Sequence, residues 1–266
     1  MTSESSNTSA LRNYKSGTPE YYFYKEMHER QTTEFVMCKL NEYEKLNNGR
    51  MKIHQVLNMM DEFIDPSDPD TSLPNSIHAY QTAERIRKSY PKNYEMQVCG
   101  LIHDLGKILF KFGEPSWSVV GDTFVVGCNY AQSIVYYNTL KENPDFDHSI
   151  YSTRMGIYSK HCGIENLKIA FGHDEYLYLV LTKNHNHKLG QKYINMIRYH
   201  SLYPWHTGGD YNDFMKDSDK NLLTDVLELN KFDLYSKEDT DFVLTKKIKT
   251  YYADLLDQFF PEKLQW

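Results

Sequence analysis

The chain has 266 residues, 40% of them hydrophobic, and a formal net charge of −6 at pH 7. That is enough apolar material for one large core, and an acidic balance with scattered Lys and Arg excludes a nucleic-acid-binding surface. The longest apolar stretch, around residues 98–112, is short and broken by charge, which excludes a membrane span, and no C-x-x-C pair offers a zinc knuckle or a disulfide framework.

Cys38, Cys99, Cys128 and Cys162 therefore read as reduced thiols of a cytoplasmic protein. Residues 1–16 are polar and Ser-rich and read as a flexible arm. No Ser/Gly-rich linker divides the rest, so 17–266 is expected to form a single domain. Residues 20–46, charged and aromatic, predict one long surface helix. Met51, Ile53, Val56, Leu57, Met60 and Ile64 recur at helical spacing and predict a helix over 51–63. Pro and Asp make 65–74 a loop. Helical patterns resume at about 76–89 and 95–111. Residues 113–150 are rich in Gly, Pro and Asn. Within them, Ser118 to Val126 predicts a small hairpin turning at Gly121-Asp122. Helices return at about 173–183, 190–201, 211–230 and 246–259. The class is all-α with at most one small hairpin.

One segment carries chemistry. His103 and Asp104 stand side by side inside the apolar run from Val98 to Lys107. An unpaired buried charge is expensive, and two metal ions sharing the pair would account for it. Adjacent helical residues point about 100° apart. One metal can then take His103 and one oxygen of Asp104, leaving the second oxygen for another metal. His78, His173, His200 and Asp233 are further candidates. Nitrogen and oxygen donors without thiolate suit iron or manganese, with zinc or cobalt as alternatives. Six ligands, one of them bridging, leave roughly three open positions on two octahedral metals once a bridging oxygen is added. Open positions mark a catalytic rather than a structural site. Lys107 shares the face of His103 and Asp104, and is expected to point at a bound ligand.

Other histidines have plainer readings. His173-Asp174 shows that a His-Asp dipeptide alone is a weak signal. His185 and His187 belong to a solvated loop. His28, His54, His148, His161 and His206 take surface or packing roles. Taken alone, His200 also suits a satisfied core position.

Several runs together are similar to the myo-inositol oxygenase family of the HD-domain superfamily. They include Arg12-Asn13-Tyr14, His78-Ala79-Tyr80-Gln81-Thr82-Ala83-Glu84, Gly100 to Lys107, and Val119-Val120-Gly121-Asp122-Thr123-Phe124. Gly172-His173-Asp174-Glu175-Tyr176, Ile197-Arg198-Tyr199-His200-Ser201, Tyr203-Pro204-Trp205-His206-Thr207-Gly208 and Asn230 to Tyr235 continue the match, from about residue 11 to Trp266.

The resemblance implies an HD-domain-like helical bundle whose core of about five helices bears a mixed-valent Fe(II)/Fe(III) di-iron centre. One iron is held by His78, His103, Asp104 and Asp233, the other by the bridging Asp104 with His173 and His200. It also implies O2 as co-substrate and a four-electron, ring-opening oxidation of myo-inositol to D-glucuronate. Substrate contacts fall on Arg12, Asp65, Ser67, Lys107, Gly121, Asp122, His200 and Ser201. Asp104 and Lys107 act in catalysis, and Lys237 belongs to a closing lid. Pro66 departs from the family pattern, which places Glu there. Pro has no N–H, so a backbone donor in the substrate loop is expected to be lost.

The rival enzyme is a metal-dependent phosphohydrolase, which would call on Lys107 and Arg198 to hold phosphate. A non-enzymatic, metal-stabilised module would instead saturate its coordination. No heptad seam is present, so a monomer is expected, and the resemblance implies a small polyol as its partner.

Overall fold

The computed structural model describes residues 16–67, 74–236 and 242–266. Arg12 and Lys237 lie outside them.

Helix α1 (Pro19–Arg30) starts where the Thr18 hydroxyl accepts the Tyr21 N–H and Pro19 occupies the first turn. It does not run on to residue 46. Thr32 caps a separate α2 (Thr33–Tyr43), its hydroxyl accepting the Phe35 N–H. The buried Asp145 carboxylate accepts both the Thr33 N–H, at 2.6 Å, and its hydroxyl, at 2.7 Å. Two charge-assisted bonds at a helix start hold the break where composition alone predicted continuity. Nor is α1 a surface helix throughout: Tyr24, Met27 and His28 are buried.

Helix α3 (Ile53–Met59) tightens into a 3₁₀ turn at Met60–Glu62. Helices α4 (Asn75–Ser89) and α5 (Tyr94–Ile102) form the next pair, α5 being capped by Asn93. The predicted helix over 95–111 breaks at His103-Asp104 and continues as a 3₁₀ stretch, Leu105–Phe112. Then come α6 (His173–Lys183), α7 (Gln191–Tyr199), the single turn α8 (Tyr203–His206), α9 (Asp219–Ser236) and α10 (Lys246–Phe259). Helix α9 starts later than predicted. The Asp219 carboxylate accepts the N–H groups of Lys216 and Ile164 and anchors that start to another segment. No helix among the described residues is long and apolar enough to cross a membrane.

The predicted hairpin does not form. Val119, Val120, Phe124, Val125 and Val126 are all buried, and the segment bonds to 168–170 instead of to itself. Ala170 donates to the Phe124 carbonyl at 2.7 Å and Val126 to the Lys168 carbonyl at 2.9 Å, flanking an isolated bridge of Val125 with Ile169. Among the described residues the one sheet is β1 (Arg50–Met51) paired antiparallel with β2 (Leu264–Gln265). Trp266 then inserts fully into the core and donates its indole N–H to the Met51 carbonyl.

Helix α4 packs on α5 and α9, α7 on α6 and α9, and the 105–112 stretch on α6. The inner ends of α4, α5, α6, α7 and α9 converge on one buried cluster of histidines and carboxylates.

Candidate metal centre

His78 comes from α4, His103 and Asp104 from the end of α5, His173 from the first residue of α6, His200 from the end of α7, and Asp233 from α9. All six are buried. The four imidazoles form a row in the order His78, His103, His200, His173. Neighbouring ring centres lie 5.2, 5.0 and 5.2 Å apart, each pair edge to face.

Asp104 lies against this row. Its Oδ1 is 3.2 Å from His173 Nε2 and 3.7 Å from His200 Nε2. Its Oδ2 is 3.6 Å from His103 Nε2 and 3.8 Å from His78 Nε2. Asp233 Oδ1 is 2.9 Å from His78 Nε2 and 3.3 Å from His103 Nε2. The break after α5 permits this: with the chain leaving the helix at His103, Asp104 faces both groups from one point.

Three of the rings are oriented from behind. The Nδ1 of His103, His173 and His200 each meets a backbone carbonyl, of Gly100 (2.8 Å), Val119 (2.8 Å) and Ile197 (2.7 Å). A carbonyl only accepts, so Nδ1 carries the proton and Nε2 is turned inward, where it could serve as a ligand nitrogen. His103 Nε2 is buried and makes no well-formed hydrogen bond among the described residues, Asp233 Oδ1 standing 3.3 Å away. Orphaned buried nitrogens are rare, and a metal ion would satisfy this one. The donor set thus fits the two metals that the sequence suggested.

Gly106 makes the approach of α6 possible. A Cβ there would fall 1.9 Å from the His173 carbonyl oxygen, so only glycine lets the 105–112 stretch lie against the start of α6.

Burial alone would raise the Asp104 carboxyl, but the charges of Lys107 and His103 outweigh it and hold it well below the usual range. Asp233 is held down in the same way by His103 and His78. Burial disfavours charge on His173, yet Asp174 and Asp104 raise it to about 10.

A family model described as myo-inositol oxygenase matches residues 20–266. Inositol oxygenase of Rattus norvegicus is 44% identical over 261 residues, covering 97% of this chain and 91% of the relative. Inositol oxygenase of Homo sapiens is 43% identical over the same length and shares. Inositol oxygenase 1 of Arabidopsis thaliana is 44% identical over 247 residues, 92% of this chain and 79% of the relative. The chain belongs to the myo-inositol oxygenase family.

Of the residues that resemblance to this family singled out for substrate, the described ones lie beside the cluster. Lys107 Nζ lies 2.9 Å from Asp65 Oδ2 and 3.0 Å from Asp104 Oδ2, and donates weakly to Asn75 Oδ1. These contacts place it between the loop at residues 65–67 and the centre. Asp65 Oδ1 accepts the Ser67 N–H at 2.9 Å and its hydroxyl at 2.6 Å. This turn uses the N–H of residue 67, so Pro66 leaves it intact. Thr123 donates to the Ser201 carbonyl at 2.9 Å and brings Gly121-Asp122 beside His200-Ser201. Gly121 has φ +107°, and a Cβ there would strike Met27 of α1, so its glycine serves packing as well as any ligand.

Two residues escaped the sequence reading. Asp174, set aside as half of a chance dipeptide, is completely buried, with Oδ1 2.8 Å from His173 Nε2. His206 Nε2 donates to the His200 carbonyl at 3.0 Å, and burial lowers its pKa to about 4, so the ring is neutral. Neither had a signal beyond membership of a motif. The cations that a phosphohydrolase would need are engaged: Lys107 as above, and Arg198 in a bidentate pair with Glu175 at 2.7 and 3.0 Å. His185 and His187 lie outside the cluster, as expected. Cys38, Cys99, Cys128 and Cys162 are all free thiols.

Proposed function

We propose that the chain catalyses the O2-dependent, four-electron, ring-cleaving oxidation of myo-inositol to D-glucuronate at a mixed-valent centre of two irons. The observation that supports this best is the Asp104 carboxylate, one oxygen turned to His173 and His200 and the other to His78 and His103. His78, His103 and Asp233 would hold one ion with Asp104, and His173 and His200 would hold the second with Asp104. When bound, iron supplies Lewis acidity toward a substrate alcohol and redox capacity toward O2.

The side chains supply binding and charge. Inositol is an uncharged polyol, so it needs a ring of donors and acceptors rather than a charge clamp. Asp65, Ser67, Lys107, Asp122, His200, Ser201 and the backbone at Gly121 are assigned that role, with Arg12 and Lys237 closing over the substrate. Burial works against the Lys107 ammonium, but Asp104 and Asp65 outweigh it and push its pKa up. Lys107 therefore keeps its proton at Nζ and acts as a hydrogen-bond donor to a substrate oxygen, not as a base. The buried cluster also keeps bulk water away from the reacting carbon.

The continuous core across the described helices supports a single HD-domain-like catalytic domain over 17–266, with 1–16 as an arm. The free thiols favour a cytoplasmic setting, and we assign a monomer. The test is D-glucuronate formation from myo-inositol by iron-loaded, partly reduced protein in air and under argon. Product in air alone is expected. No product in air with both irons bound would overturn the assignment. Lys107→Ala should retain iron and lose on the order of 10²-fold in kcat.

A further inference from the structure

The dipeptide His200-Ser201 is held on every side. The His200 ring donates to Ile197 and its carbonyl accepts from His206, while the Ser201 carbonyl accepts from Thr123. The remaining bonds go to Asp174. Its Oδ2 accepts the Ser201 N–H at 3.2 Å, and its Oδ1 accepts the Ser201 hydroxyl at 3.3 Å. Asp174 sits in the first turn of α6, where a carboxylate suits the helix N-terminus.

Asp174 approaches His200 at Nδ1, 3.7 Å away, whereas Asp104 approaches it at Nε2. Asp174 is thus behind the His200 ring and does not share that ring's inward nitrogen. Its Oδ1 also lies 2.8 Å from His173 Nε2, so its partners in the site are His173 and Ser201.

A carboxylate has no proton to give, so in its 3.3 Å contact with Asp174 the Ser201 hydroxyl is the donor. Its lone pairs are what it can offer outward. We infer that Asp174 is a positioning residue that fixes Ser201 as a hydrogen-bond acceptor, selecting a substrate carbon that bears a hydroxyl over one that bears a ketone. This rests on the reading of Ser201 as a substrate contact.

The test uses the iron-loaded full chain with Asp174→Asn, Ser201→Ala and the double variant. The readouts are kcat and KM for myo-inositol, inhibition by a set of monoketo inositols, bound iron and Tm. An Asn amide with its oxygen on the Ser201 N–H presents NH2 to the hydroxyl, which must then accept and is free to donate outward. Asp174→Asn is expected to keep iron and Tm, to raise the inositol KM about tenfold, and to tighten ketone inhibition about fivefold relative to inositol. In the Ser201→Ala background it should do neither. An equal KM rise in that background, or a marked loss of iron, overturns the inference and assigns Asp174 to the metal or the fold. Ser201→Ala with an unchanged KM is a separate failure: it removes Ser201 from the substrate ring, and this inference with it.

Discussion

At the scale of single residues, Asp104 carries the most. It faces four imidazoles and an ammonium, so replacing it leaves several buried groups without their counter-charge. Asp104→Ala is expected to abolish metal binding at both positions, read as iron per chain. In the metal-free protein it should cost about 3–5 kcal/mol in denaturant unfolding, because the buried Lys107 loses a partner. Full iron content and activity in that variant would remove the bridging role. His28 makes a different prediction. It is buried against Thr139, and burial lowers its pKa from 6.5 to about 3. The unfolded chain takes up the proton between those two values and the folded chain does not. His28 therefore favours folding above pH 6.5, and that contribution is lost as pH falls toward 3, by up to about 1.4 kcal/mol per pH unit. His28→Gln should flatten the fall of stability between pH 6.5 and 4.5; an unchanged slope would show that other groups govern it.

At the scale of elements, the decisive event is the end of α5 at Ile102. Gly106→Ala would push the 105–112 stretch off the start of α6 and displace His173. We expect a loss of roughly 1–3 kcal/mol, from overpacking, together with iron depletion, measured by thermal melting and metal analysis on one sample. The sequence showed that a polar pair sat in an apolar segment, because that contrast is local. It did not show the helix break, because Leu105 to Phe112 keeps an apolar pattern that also suits a helix and the 3₁₀ turn is imposed by α6. The valines at 119–126 predicted a hairpin for a related reason. Their β preference was real, but the partner strand was 168–170, and pairing at such a separation leaves no turn signal. The six metal candidates were legible by residue type and motif. Asp174 was not, since nothing local distinguishes a dipeptide beside a metal from one formed by chance.

At the scale of the molecule, the centre draws on five helices spread from residue 78 to residue 233, and the core closes only when β2 docks on β1. Trp266 is buried completely, with its indole bonded 215 residues away. Trp266→Ala should cost about 3–5 kcal/mol and lower Tm on the order of 10 °C. A change under 2 °C, as an order-of-magnitude threshold, would show that the pairing of β1 with β2 holds without it. That docking also imposes a schedule on biosynthesis. Met51 leaves the ribosome 215 residues before Trp266, which covers it. The α-helical pairs can form while the chain is still being made, yet the early segment around β1 must wait with its apolar face uncovered. This part of the core therefore closes only after those 215 residues have been made, and the interval before it is when the nascent chain most needs protection from aggregation.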